Sequence, residues 1–182
     1  MNPYSHFSVP AFDRFLVWLS ATDLRLFFLQ WETFDGFVRF VHVLSAGTLF
    51  GAILLLDLKL LGRVTKIGVR ELAGVVIPWA IAGGIIAVLT GIVLLLFDPI
   101  AVGVHTYFLP KMGLIVLGVA NALAFHRFVR LDETARPRLR RGAGALSIAL
   151  WTAVFLCAAL NGSERISSSV GASHVSSTTA QE

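Results

Sequence analysis

Residues 37–61, FVRFVHVLSAGTLFGAILLLDLKLL, constrain the fold of this chain more than any other stretch. About 20 predominantly apolar residues suffice to cross the hydrocarbon core of a bilayer as a helix, and this run is longer. It nonetheless holds His42 near its start and Asp57 near its end, fifteen residues apart. On an α-helix that separation is about 22 Å of rise and about 60° of rotation. The two ionisable side chains therefore sit near opposite ends of one helix, on neighbouring faces. An ionisable group inside a membrane is costly, so each is a functional candidate by default and needs a partner. Gly47 and Gly51 form a small-residue row between them, where a second helix or a flat ligand can approach closely.

The remainder of the chain repeats the pattern. Of its 182 residues 56% are hydrophobic and 14% charged, with mean hydropathy +0.78, which excludes an ordinary soluble domain. Apolar runs at 36–61, 72–97, 107–128 and 142–161 predict four spans, the third opened by Pro110 in its first turn, where proline is tolerated. The basic residues gather in two loops. Arg63, Lys66 and Arg70 follow the first span, and Arg127, Arg130, Arg136, Arg138, Arg140 and Arg141 follow the third. By the positive-inside rule both loops are cytoplasmic and both termini periplasmic. The net charge of +4 is thus an orientation signal rather than a sign of nucleic-acid binding.

Residues 1–35 make neither a signal peptide nor a clean span, because Asp13, Arg14, Asp23, Arg25, Glu32 and Asp35 interrupt them. Leu24, Phe27, Phe28, Trp31 and Phe34 recur at helical spacing behind a Thr22 or Asp23 cap, and Phe12, Phe15, Leu16 and Leu19 make a similar stripe. This segment is read as amphipathic helices in the interface plane, with a cap over the outer ends of the spans as the alternative. The expected architecture is all-α. Residues 1–35 form short amphipathic interfacial helices, 36–162 an integral membrane four-helix bundle, and 163–182 a Ser/Thr-rich disordered tail that includes His174.

Depth sorts the polar residues. At the inner end Asp57 is expected to pair with Arg127 or His126, and at the outer end Asp98 with Lys111. Asn121, deep in the third span, is expected to make an interhelical hydrogen bond. The sharper alternative concerns the histidines, since imidazole ligates haem iron, copper and zinc. The candidate cofactor ligands are His42, His105 and His126, with His42 and His105 the candidate metal ligands. His42 and His126 lie at opposite ends and do not meet within one protomer. His42 reaches His105 if the outer loop folds inward, or its own symmetry mate in a parallel dimer. Gly47, Gly51, Gly84, Gly91 and Gly113 leave room for a porphyrin face or, equally, for ordinary helix contact. Cys157 is the one cysteine, so no intramolecular disulfide or CxxC motif exists. There is no Ser–His–Asp order, P-loop or dinucleotide fingerprint, so no catalytic residue is assigned.

The strings HVLSAGTLFGAILLLDLKLLG, PWAIAGGIIAVLTGIVLLLFDP and FLPKMGLIVLGVANALAFHR resemble a family of small bacterial inner-membrane proteins with four helices and a short N-terminal helix. The likeness rests on His42, Gly51, the 57–62 run, Pro78-Trp79, Gly91, Asp98-Pro99, Lys111 and Asn121, across residues 30–128. His105 departs from the family pattern, which often places Asn there. A more distant similarity extends to the membrane domain of copper-resistance D-type proteins. Two functions are expected. One is a b-type haem-binding subunit passing electrons between a periplasmic redox protein and quinone, or anchoring such a protein. The other is a cofactor-free accessory subunit, with copper handling a third. A homodimer or larger complex fits either.

Overall fold

A computed structural model describes residues 9–64, 66–128 and 137–179, with the side chains among them except those of 32, 126–128, 137 and 162–179. The described residues contain helices and no strand. Helix α1 (Pro10–Ser20) starts on Pro10, whose fixed φ suits the first helical turn. Helix α2 (Asp23–Leu29) is capped by Thr22, whose hydroxyl accepts from Arg25 N at 3.4 Å. A short 3₁₀ turn leads into α3 (Asp35–Leu60), the helix of the 37–61 stretch.

Helix α3 stops where the sequence makes it stop. Gly62 takes φ +82°, its N–H donates to Lys59 O at 2.9 Å, and Arg63 N donates to Leu58 O at 3.0 Å. Those two bonds form a Schellman cap, which needs a residue that accepts positive φ without strain. Helix α4 (Val69–Phe97) tolerates Pro78 on an exposed face. Asp98 then caps the short α5 (Pro99–Gly103), with Oδ1 accepting from Ala101 N at 3.0 Å. Helix α6 (Phe108–Phe128) carries Pro110 in its first turn. Helix α7 (Pro137–Thr179) begins about a turn before the expected 142, because Pro137 is a helix-start residue. Arg138, Arg140 and Arg141 are therefore helical and not loop residues. The span-length part of α7 is Arg138–Asn161; the helix continues to Thr179, through residues 163–179 where a Ser/Thr-rich disordered tail was expected.

Helices α3, α4, α6 and α7 are each long and apolar enough to cross a membrane. They form the expected four-helix domain, and α3 is its centre, packed along α4 on one side and α7 on the other, with α6 against α7. Glycine sets the closest approaches. A Cβ on Gly83 would lie 2.8 Å from Ser45 O and 3.0 Å from Leu49 N, so α3 and α4 cross at a distance only glycine permits. A Cβ on Gly118 would stand 3.2 Å from the Trp151 ring, and one on Gly144 3.2 Å from Asp57 O, so these glycines let α6 and α3 close onto α7. Asn121 Nδ2 donates to Ala143 O at 3.2 Å, the interhelical bond expected of it. Buried Arg140, Ser147, Trp151 and Val154, with Gly144, mark one stripe of α7 at helical spacing.

The N-terminal helices fold over the end of the bundle where α3 begins and α4 ends. Leu16 of α1, 1% exposed, fills the space left by Gly103 of α5. Phe12 stacks on Phe108 with ring centroids 5.8 Å apart, and Phe28 meets Phe97 edge-on at 6.5 Å. Their other faces leave Trp18, Leu26, Phe27 and Trp31 exposed. One face caps the bundle, and the other offers the apolar surface of an interfacial helix.

Candidate functional site

His42 is carried by α3 and faces α4. Its Nδ1 lies 2.9 Å from Ala87 O and 3.1 Å from Thr90 Oγ1. The Thr90 hydroxyl is within donating distance of Ile86 O, at 2.6 Å, and Ala87 O, at 3.2 Å. A carbonyl oxygen only accepts, so this geometry assigns the proton to Nδ1. In the neutral ring Nε2 then keeps its lone pair.

Gly91 makes the contact possible. Ala87 O is the carbonyl that an α-helix directs toward the residue four positions on, which is Gly91. The imidazole reaches it by lying on that glycine, where a Cβ would stand 3.1 Å from Cε1 and 3.5 Å from Nδ1. Ser45, one turn along α3, donates to His42 O at 3.0 Å and is itself buried. Two cations, Lys111 and Arg39, act on the ring electrostatically. Lys111 Nζ also stands 5.3 Å from the Phe108 ring centroid, and Arg39 is paired with Asp35 at 2.7 Å.

A second polar locus lies at the other end of α3. Asp57 is 5% exposed and is hydrogen-bonded by Ser147 of α7, while its Oδ2 is buried without a hydrogen-bond partner. Arg140 is buried two turns before Ser147 on the same stripe. The expected partners Arg127 and His126 lie outside the described side chains, so the pairing of Asp57 with helix three falls outside them too. Although His42 and Asp57 are on neighbouring faces of α3, they serve different neighbours, α4 and α7.

The other candidates are dispersed. His105 is half-buried in the turn between α5 and α6, where its carbonyl accepts from Phe108 N at 2.9 Å. Asp98 caps α5, and Cys157 is a half-buried free thiol on α7. Among the described residues, nothing beyond the local helix backbone lies within 4 Å of a Cβ built on Gly47, Gly51 or Gly113. From His42 to Gly47 and Gly51 the helix turns by about 140° and 180°, so those glycines face away from the ring. The structure does not bring them to His42; the close glycines are Gly83 and Gly91 of α4. Among the described residues, no group of three or more His, Cys, Asp and Glu side chains is placed to hold a metal ion.

Sequence reasoning missed Ala87 and Thr90 of the α4 half of the site; Gly91 was among the glycines expected to leave room for a close approach. A backbone carbonyl has no signature of its own, but a threonine one residue before a glycine in an otherwise apolar span was the available signal. Ser147 was missed for the same reason. No family model, curated protein or solved structure matches the chain.

Proposed function

We propose that this multi-pass membrane protein is a b-type haem-binding subunit that carries electrons between a periplasmic redox protein and the quinone pool, with His42 as the residue that would hold the haem iron. One observation carries the reading: Nδ1 is tied to Ala87 O at 2.9 Å, which fixes the ring and leaves Nε2 as the coordinating nitrogen. Metal-ligating histidines usually donate their second ring nitrogen to a carbonyl or carboxylate, which orients the ring and raises its basicity. The chain thereby supplies one imidazole of the right tautomer. A second ligand to the iron would come from a second copy, a partner subunit or His105. Bound haem would supply a one-electron Fe(III)/Fe(II) couple. The chain's own contribution is to hold the ligand, keep Arg39 and Lys111 within electrostatic reach, and leave broad apolar faces for lipid and partners.

Placement in a bacterial inner membrane with periplasmic termini belongs to the same proposal, as does kinship with small four-helix inner-membrane proteins. The basic residues at one end of the bundle and the sequence strings quoted above support them. A cofactor-free anchor is the second reading, favoured by the same bond seen differently: His42 already clamps α3 to α4 through Ala87 O and Thr90 Oγ1. The visible spectrum of protein purified from haem-replete cells separates the two. The haem reading expects a Soret band and a reduced α band that His42→Ala removes, whereas absence of both from the wild type leaves the clamp alone.

A further inference from the structure

The His42 and Asp57 networks leave unused a groove of about 720 Å³ between α6 and α7, at the end of the bundle where α7 begins. Ala124 and Phe125 form its α6 wall, and Gly142 and Leu146 its α7 wall. Asn121 closes the inner end, its amide held by Ala143 O. Arg138, exposed and in no ion pair among the described residues, stands at the mouth. From Arg138 to Leu146 the groove follows α7 for eight residues, about 12 Å. Gly142 borders open space in it: among the described residues, a Cβ there would meet nothing within 4 Å beyond the local helix backbone.

An apolar slot running into a membrane-spanning segment from a single guanidinium fits one chemistry. The guanidinium pairs with a phosphodiester monoanion through its fork of donors, and the slot beneath takes an acyl chain. Free inorganic phosphate would leave the slot unfilled. A zwitterionic headgroup brings its own cation to the arginine. Basic pockets between spanning helices are suited to anionic headgroups for these reasons. We propose that the α6–α7 groove binds an anionic phospholipid, its phosphate on Arg138 and one acyl chain along Gly142.

Native mass spectrometry of the full chain in neutral detergent, titrated with phosphatidylglycerol or phosphatidylcholine, tests the assignment. The expected result is one phosphatidylglycerol retained per chain and no comparable retention of phosphatidylcholine. Arg138→Gln should weaken retention about fivefold, from ~1 kcal/mol per basic residue at a membrane surface. Gly142→Leu should weaken it similarly by filling the slot with every charge kept. Arg63→Gln, which removes an exposed arginine near the same end but off the groove, should leave it unchanged. Equal retention of both lipids overturns the proposal, as does displacement by millimolar phosphate. An Arg63→Gln effect matching Arg138→Gln would reduce the site to diffuse surface charge. Should Gly142→Leu fold poorly, the comparison of the two arginine variants still decides.

Discussion

Gly91→Ala is the perturbation that most directly probes how tightly the His42 imidazole is held against α4. In an unobstructed helix position the change stabilises by about 0.5–1 kcal/mol, because alanine loses less backbone entropy than glycine. At Gly91 the added methyl would stand 3.1 Å from His42 Cε1 and 3.5 Å from Nδ1. The ring must retreat, and its 2.9 Å bond to Ala87 O lengthens or breaks. Interhelical hydrogen bonds in membrane proteins are worth about 0.6 kcal/mol on average and up to about 1.7. Overpacking a closely packed contact costs a further ~1–3 kcal/mol. The loss exceeds the helical gain, so Gly91→Ala should destabilise by about 1–3 kcal/mol. Gly47→Ala on α3, with nothing within 4 Å of its Cβ, should be neutral or stabilising. Thermal unfolding of both variants in the same nanodiscs, followed by tryptophan fluorescence, measures the difference. If Gly91→Ala is as stable as Gly47→Ala, the imidazole does not lie on Gly91.

Three further outcomes follow from contacts elsewhere. Ser147→Ala withdraws the hydroxyl that bonds buried Asp57, and should lower stability by about 1–3 kcal/mol in the same unfolding assay; Asp57→Asn, which keeps an oxygen for Ser147, should cost less than Asp57→Ala. Asn121→Leu removes the 3.2 Å bond to Ala143 O and should loosen α6 from α7 by about 0.6–1.7 kcal/mol, seen as faster amide exchange in α6 with α3 unaffected. Leu16→Ala empties the space over Gly103, at about 2–5 kcal/mol for a fully buried leucine, and should free α1 for limited proteolysis while the four long helices stay protected.

The spans were legible because length and apolarity in a bilayer leave a helix as almost the only solution. The end of α3 was legible as well, since Gly62 closes the run with the one residue type a Schellman cap favours. The start of α7 was not: a cluster of arginines reads as a loop, and Pro137 outweighed it as a helix-start signal. Within the site, the sequence marked His42 as needing a partner but could not say which. The partner is a main-chain carbonyl, whose availability depends on a glycine four residues further along another helix. Gly47 and Gly51 look like contact glycines as much as Gly83 and Gly91 do. Only the packing decides, because α3 turns its Ser45–Leu49 face to α4 and leaves the glycines outside. For Asp57 the charge pointed to a cation, while the described partner is the hydroxyl of Ser147 on α7.

Under the proposed function, anchoring Nδ1 leaves Nε2 of His42 free to bind haem iron. The most direct test is the pyridine haemochromogen content of wild-type protein, His42→Ala and His174→Ala, purified side by side from haem-replete cells. The expected result is b-type haem in the wild type and in His174→Ala, and its loss from His42→Ala while the variant keeps its helical circular dichroism. Wild-type protein without haem, or His42→Ala with the wild-type content, would contradict it.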